Sequence, residues 1–282
     1  MATTESVEVA PAPPITENTY ARQDSLNLKI PPSVIVVGCG GVGSWLSLFL
    51  ALAGAKQLWL WDNDTVSDHN LNRLPLTKDS VGKSKSEALS DLIKSYRPDC
   101  DVYAMGLFES EQAAIACGDI HKAWLVCTTD TWASRKMCNA WATIRRLNYL
   151  EAAAEGEIGS ITGEPAAWAT DDEAKPGYAS VPVWVGPCVM AASLACAHIL
   201  HSTKLGEESI RIGWTEGGIV FYNSKSDHPE PPKHIKWTLE NVKQAKVKGW
   251  TYNYTDGCKC AMCIDIQAGV LYNYDKDGRR CS

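Results

Sequence analysis

Short apolar runs alternate with amphipathic segments along the first half of the chain. Apolar runs occupy residues 34–37, 57–62, 101–106, 123–127 and 148–154, and helical periodicity marks residues 45–52, 84–97, 109–117 and a segment from 130 or 131 to 147. Strands that alternate with helices are typical of a parallel sheet covered on both faces. The pattern predicts an α/β fold with a Rossmann-like, mostly parallel sheet and helices on both faces.

The second half predicts a different pairing. Residues 157–162 form another strand, and residues 209–214 and 218–223 form a β-hairpin around Thr215, Glu216 and Gly217. A long apolar helix is expected from Val185 to about Ser202. Residues 163–182 between them are polar and read as an exposed connection. We expect the hairpin to extend the sheet in antiparallel fashion.

The two ends of the chain differ from its centre. Residues 1–18 are rich in Ala, Pro, Thr and Glu without periodicity, so we expect them to be disordered. Residues 19–252 form the predicted main domain, and residues 253–282 form a cysteine-rich C-terminal tail.

Composition excludes several classes of protein. The net charge is −6, which argues against a nucleic-acid or membrane partner, and the first residues lack the pattern of a signal peptide. No apolar run reaches the length of a membrane span. We therefore expect a cytoplasmic protein, in which the eleven cysteines serve as free thiols, metal ligands or a reactive thiol before disulfides.

The glycine-rich stretch from Val34 to Ser44 is the first candidate site. It reads Val-Ile-Val-Val-Gly-Cys-Gly-Gly-Val-Gly-Ser, a buried strand that leads through a turn into a helix. Gly38 permits the turn, Gly40 and Gly41 let a ligand approach the backbone, and Gly43 lets the helix pack closely on the sheet. The free N–H groups of such a helix can bind phosphate. The alternative is a strand–helix junction without a ligand.

Charges of both signs follow the second strand. Asp62 and Asp64 stand at its end, and Arg73, Lys83 and Lys85 come soon after. Triphosphate chemistry needs this mixture, because acids hold Mg²⁺ and cations neutralise phosphate. The alternative is a set of solvated charges in a polar loop and at a helix start.

Another carboxylate follows the fourth strand. Asp130 comes just after Ala123–Cys127, where a parallel strand opens onto the ligand crevice of an α/β sheet. Either Asp130 or Thr131 can also cap the next helix.

Four segments together resemble one family. These are the Gly-x-Gly-Gly-x-Gly-Ser loop, the Asp-x-Asp at residues 62–64, Asn-Leu-Asn-Arg at residues 70–73 and Gly-Lys-Ser-Lys at residues 82–85. In combination they resemble the ThiF/MoeB and ubiquitin-activating superfamily of adenylyltransferases. An NAD-binding Rossmann protein would share the glycine loop but has no use for the Asn-Leu-Asn-Arg run.

The resemblance implies roles for individual residues. Gly41 would lie against the phosphates, Asp62 would bind the ribose, and Lys85 would lie over the α-phosphate. Asp130 would hold Mg²⁺, and Lys83 would be a bystander. The full set implied to bind ATP is Gly38, Gly40, Gly41, Gly43, Asp62, Asp64, Asn70, Arg73 and Lys85.

Two further residues are catalytic candidates. Tyr-x-Arg-Gln at residues 20–23 resembles the segment from which family homodimers send an arginine, here Arg22, into the partner's site. Cys188 follows Pro187 at the start of a helix, where the dipole lowers the pKa of a thiol and favours the thiolate. Cys188 is therefore the best-placed thiol for a thioester or acyl-disulfide intermediate. The alternative for Cys188 is a small buried residue.

The C-terminal cysteines suggest a metal. Family members commonly bind structural Zn²⁺ through two Cys-x-x-Cys pairs, and here only Cys260 and Cys263 match, with Cys258 and Cys281 as further candidates. The alternative is a set of reduced thiols without zinc.

The resemblance implies an enzyme that uses ATP and Mg²⁺ to adenylate the C-terminal carboxylate of a ubiquitin-like protein. We expect a homodimer in a bacterial ubiquitin-like conjugation pathway, with later transfer to a conjugating enzyme. The alternatives are activation of a sulfur-carrier protein, a noncatalytic adaptor that binds a ubiquitin-like protein, and an NAD-dependent oxidoreductase.

Overall fold

The computed structural model describes residues 17–117, 122–163, 182–202, 205, 209–215 and 218–224. An eight-stranded sheet lies at its centre, in the order β3-β2-β1-β4-β5-β6-β7-β8. The strands are β1 (Val34–Val37), β2 (Gln57–Trp61), β3 (Asp101–Met105), β4 (Trp124–Cys127), β5 (Asn148–Glu155), β6 (Ile158–Thr162), β7 (Ser209–Thr215) and β8 (Gly218–Ser224). The helices are α1 (Gly41–Ala53), α2 (Lys85–Tyr96), α3 (Ser110–Cys117), α4 (Trp132–Arg145) and α5 (Val185–His201).

The sheet has a parallel half and an antiparallel half. Strands β1 to β5 pair in parallel, with β1 between β2 and β4. Strands β5 to β8 pair antiparallel, and the predicted hairpin joins Ser209 to Ser224 and Thr215 to Gly218 in register. The predicted α/β class, with a mostly parallel sheet and an antiparallel extension, is therefore confirmed.

Helices cover both faces of the sheet. On one face α1, α2 and α5 pack against alternate strand residues such as Val34 and Val36. On the other face α3 and α4 pack against Ile35 and Val37. Both faces of β1 are thus buried, which explains why its sequence is an unbroken apolar run.

Helix α1 begins four residues before its apolar pattern. The apolar periodicity begins at Trp45, but α1 starts at Gly41 and ends before Gly54, whose φ of +109° suits the C-cap. The periodicity does not mark the first turn because glycine has low helix propensity, and packing against the sheet fixes these residues. The last glycines of the loop therefore form the first turn of the helix.

Some sequence predictions fall outside the described residues. These include residues 1–16, most of the connection 163–182 and the whole tail 253–282; a 3₁₀ helix begins at Glu17, inside the segment expected to be disordered. In the ranges that are described, no helix is long and apolar enough to span a membrane.

Candidate functional site

The carboxyl ends of three neighbouring parallel strands bring the candidate residues to one edge of the sheet. The N–H of Gly38, just after β1, donates to the carbonyl of Trp61 at 2.8 Å, and the N–H of Thr128, just after β4, donates to the carbonyl of Val37 at 2.8 Å. The glycine loop therefore lies between the segments that carry Asp62 and Asp130.

The glycine loop is tight on one side and open on the other. Gly38 has a φ of +98°, a left-handed conformation that favours glycine. A Cβ on Gly43 would lie 1.9 Å from the carbonyl oxygen of Gly38, and a Cβ on Gly41 would lie 2.6 Å from the Sγ of Cys188. A Cβ on Gly40 would meet nothing within 4 Å. Gly40 thus faces free space from which a ligand can approach.

Asp62 is bonded directly to the glycine loop. Its Oδ2 accepts from the N–H of Cys39 at 2.6 Å, and its Oδ1 accepts from the N–H of Asp64 at 2.8 Å. Burial raises the pKa of the Asp62 carboxyl above its ordinary value, and both N–H donors and the charge of Lys85 oppose that rise. Asp62 therefore fixes the loop, and its remaining lone pairs can accept further hydrogen bonds.

The segment after Asp62 folds back to place Lys85 at the site. The Nζ of Lys85 lies 2.7 Å from Oδ2 of Asp64, and the N–H of Lys85 donates to the carbonyl of Asp64 at 3.0 Å. The Lys85 side chain is only 12% exposed, whereas that of Asp64 is 64% exposed. Lys83 is an exposed residue of the preceding turn. The structure thus distinguishes the two lysines.

Arg73 lies beside Gly41 of the glycine loop. Its Cδ would be 3.3 Å from a Cβ on Gly41, and its Nη1 donates to the carbonyl of His69 and to Oδ1 of Asn72, both at 2.9 Å. Asn70 is buried, and its Oδ1 accepts from the N–H of Ser67 at 3.1 Å. Arg73 is therefore held beside the glycine loop, while the side-chain amide oxygen of Asn70 supports the local turn.

Cys188 lies beneath the glycine loop. Its side chain is buried against Gly41, and burial raises the pKa of the thiol to about 11, an effect that the charge of Arg73 partly opposes. The direction is opposite to the one expected from the helix dipole, because loss of hydration outweighs it. The geometry favours the interpretation of Cys188 as a small buried residue.

Asp130 is an exposed residue that follows the carboxyl end of β4. Thr131 caps α4, since its hydroxyl accepts from the N–H of Ser134 at 3.4 Å, so the cap does not involve Asp130. Across the described part of the chain, no group of three or more His, Cys, Asp or Glu side chains could hold a metal ion. One exposed carboxylate at the same edge of the sheet as the glycine loop fits Mg²⁺, which is commonly held by one or two carboxylates together with substrate phosphates.

The segment that carries Arg22 lies at the far end of α1. Tyr20 packs against Gly54 and stacks over the guanidinium of Arg97, 4.7 Å from the ring centre, and Gln23 donates to the carbonyl of Ala53 at 2.8 Å. The 13-residue helix separates this end from the glycine loop by about 18 Å at 1.5 Å per residue. Arg22 is therefore remote from the glycine loop of its own chain.

The sequence analysis missed a buried ion pair at the same edge. Nη1 of Arg135 lies 2.6 Å from Oε1 of Glu151, and both side chains are almost fully buried. The signal was an acid inside the apolar run at residues 148–154, which a buried strand tolerates only when the charge is paired. The proposed zinc ligands Cys258, Cys260, Cys263 and Cys281 lie outside the described residues, so zinc stays a prediction.

The sequence matches one family and several of its members. The model of the ThiF family matches residues 21–179. The chain is 38% identical over 90 residues to the tRNA threonylcarbamoyladenosine dehydratase of Haemophilus influenzae, 36% over 141 residues to the molybdopterin-synthase adenylyltransferase of Escherichia coli, and 34% over 130 residues to the ubiquitin-like modifier-activating enzyme 5 of Culex quinquefasciatus. These matches cover 32%, 47% and 42% of this chain. They span only 34%, 55% and 33% of the respective relatives.

A solved structure shares the fold. The Escherichia coli protein MccB, in a crystal structure with AMPCPP and MccA, superposes with a TM-score of 0.58 over 76% of this chain and 73% of MccB. Its sequence identity is 20%, so the similarity shows the fold alone.

Proposed function

This chain belongs to the ThiF family, and we propose that it uses ATP to adenylate the C-terminal carboxylate of a ubiquitin-like or sulfur-carrier protein. One observation carries the proposal: Arg73 and Lys85 both lie near a glycine loop that has free space at Gly40. Relatives named molybdopterin-synthase adenylyltransferase and ubiquitin-like modifier-activating enzyme support the same reaction class.

The chemistry follows from the poor reactivity of a carboxylate. A carboxylate oxygen of the protein substrate would attack the α-phosphorus of ATP, the bond from that phosphorus to the bridging oxygen would break, and pyrophosphate would leave. Negative charge then grows on the phosphate oxygens, where fixed cations stabilise the transition state most. In this proposal Lys85 lies over the α-phosphate, Arg73 and Asn70 contact the triphosphate, and Asp62 orients the ribose.

Asp130 is the residue proposed to hold Mg²⁺. When bound with ATP, the ion would supply positive charge that balances the charge on the phosphates. The exposed carboxylate of Asp130 would supply an oxygen donor of the kind this ion prefers.

The two lysines provide a matched test of the reaction. We expect Lys85→Ala to lower ATP–pyrophosphate exchange by about 10²- to 10³-fold, because it removes a fixed cation from the transition state. Lys83→Ala removes the same charge from an exposed turn and should leave the rate within about twofold. The assay uses ubiquitin-like proteins encoded beside the gene. Equal loss in both variants would contradict the proposal.

Arg22 is proposed to act in the neighbouring subunit of a homodimer. Its distance from the glycine loop of its own chain leaves a second chain as the route to a nucleotide. Arg22→Ala should abolish exchange without loss of folding, and Lys85→Ala should lower it by about 10²- to 10³-fold. Mixed heterodimers of the two variants should regain about a quarter to a half of the activity, since one site keeps both residues. No recovery on mixing would argue against a shared site.

The finer assignment is a bacterial ubiquitin-like conjugation pathway, with later transfer to a conjugating enzyme. A carrier protein attached by a reducible bond, seen on a nonreducing gel, would support it. Persistence of that bond in Cys188→Ala would assign the step to another thiol. Direct sulfur transfer without a thioester would favour the sulfur-carrier alternative. Binding of the carrier without pyrophosphate exchange would favour the noncatalytic adaptor. Pyrophosphate exchange that needs only tRNA would contradict the proposal that the substrate is a protein.

A further inference from the structure

We propose that the buried pair Arg135–Glu151 positions Asp130 for metal binding. Arg135 bonds to the backbone just before Asp130, so the role proposed for the pair is positioning and not catalysis. This inference rests on the proposed function, because it takes Asp130 as the carboxylate that meets the metal and nucleotide.

The guanidinium of Arg135 joins the pair to the backbone just before Asp130. Its Nη1 lies 2.6 Å from Oε1 of Glu151, and its Nε donates to the carbonyl of Thr129 at 3.0 Å. That carbonyl belongs to the peptide group whose N–H is that of Asp130. Two bonds from one planar group therefore fix the orientation of this peptide relative to β5.

The neighbours on each side of Asp130 are also fixed. The hydroxyl of Thr128 donates to the carbonyl of Gly38 at 2.6 Å, which joins the segment to the glycine loop. The hydroxyl of Thr131 caps α4. Asp130 is thus an exposed side chain on a backbone that is held by Thr128, Thr131 and Arg135. Metal ligands are commonly oriented by supporting residues in this way.

A contribution to folding stability does not by itself explain why this pair is buried. Both side chains are about 95% buried, and a buried ion pair of this kind is often no more stabilising than apolar residues of similar size. The hydroxyl of Tyr149 donates to Oε2 of Glu151 at 3.4 Å, and burial raises the pKa of Tyr149, so the hydroxyl stays a donor. The pair instead fixes the orientation of the Thr129 carbonyl, at the edge of the sheet where the metal is proposed to bind.

The test measures binding of Mn²⁺ in the presence of ATP by electron paramagnetic resonance, with the full chain folded at the assay temperature. We expect Arg135→Lys to raise the Kd for Mn²⁺ about tenfold, because lysine cannot make both bonds in one plane. Glu151→Gln keeps the size of the side chain and should raise the Kd in the same direction, which preserves the test if Arg135→Lys does not fold.

Arg97→Lys is the matched control. Arg97 is equally buried and lies 2.9 Å from Asp99, but it bonds to the carbonyl of Ala51 near the far end of α1. Arg97→Lys should lower the melting temperature without changing the Kd for Mn²⁺. Unchanged binding in Arg135→Lys, or equal weakening in Arg97→Lys, would overturn the inference.

A further variant separates this inference from the proposed function. Asp130→Asn should weaken Mn²⁺ binding more than Arg135→Lys does. If Asp130→Asn binds Mn²⁺ as the wild type does, the metal role of Asp130 fails and the inference fails with it. If Asp130→Asn weakens binding and Arg135→Lys does not, only the inference fails.

Discussion

Substitution of Gly43 by alanine tests the close packing of the glycine loop. The new Cβ would lie 1.9 Å from the carbonyl oxygen of Gly38 and 2.5 Å from the hydroxyl oxygen of Thr128. The carbonyl would have to move by about 1.1 Å merely to reach 3.0 Å, below which Cβ contacts are essentially never found. Gly38 directly follows the central strand β1 and bonds to Trp61 at the end of β2, so its backbone cannot move in this way without disturbing the sheet.

The expected cost lies at the upper end for overpacked cores. Such substitutions cost about 1–3 kcal/mol, and the clash with backbone favours a value of about 3 kcal/mol for Gly43→Ala. A loss of this size lowers the melting temperature of a chain of this length by about 6 °C. Urea unfolding followed by circular dichroism measures the free energy, and thermal unfolding provides a second measurement.

Gly40→Ala is the control for this measurement. A Cβ at Gly40 meets nothing within 4 Å, and its backbone φ of −75° is one that alanine adopts freely. We expect its stability within about 0.5 kcal/mol of the wild type. A Gly43→Ala variant that unfolds within 1 kcal/mol of the wild type would refute the close approach of α1 to the strand end.

Two predictions concern the contact between Cys188 and the glycine loop. Gly41→Ala places a Cβ 2.6 Å from the Sγ of Cys188, so Cys188→Ala should recover part of the lost stability, with a coupling of about 1–2 kcal/mol in a double-mutant cycle; strict additivity would contradict the contact. Since the pKa of Cys188 is raised to about 11, iodoacetamide should modify it at pH 7 about 100-fold more slowly than an ordinary thiol, and the rate should rise with pH up to that pKa. Mass spectrometry follows the rate, and modification as fast as that of a free thiol would show that Cys188 is accessible and ionised.

The sequence predicted the layers of the fold because their signals are local. An unbroken apolar run such as Val34–Val37 indicates a strand buried on both faces, and this holds wherever the strand lies in the sheet. The start of α1 was not predicted, since the glycines at its first turn have low helix propensity and only packing against the sheet fixes them. The hairpin at β7 and β8 was predicted from its spacing.

The candidate site was predicted less completely. The motif at residues 82–85 contains two lysines separated by one residue, and only the fold shows that Lys85 is the partner of Asp64 and is mostly enclosed. For Cys188 the helix dipole is a local property, whereas the desolvation that raises its pKa comes from distant segments. Arg135 and Glu151 lie in different elements, so their pairing is a tertiary fact that neither local pattern carries.

The ion pair between Lys85 and Asp64 has a consequence for how a nucleotide would enter. The Lys85 side chain is mostly enclosed, whereas that of Asp64 is mostly solvated. The carboxylate of Asp64 therefore lies where a phosphate of the nucleotide would bind, and it already orients the ammonium group of Lys85. An arriving phosphate would displace the exposed carboxylate of Asp64 into water. It would then meet a cation whose rotamer entropy, about 2 kcal/mol for lysine, is already lost in the folded protein. Asp64 would then compete with the ligand for Lys85, so only a ligand with enough negative charge would replace it.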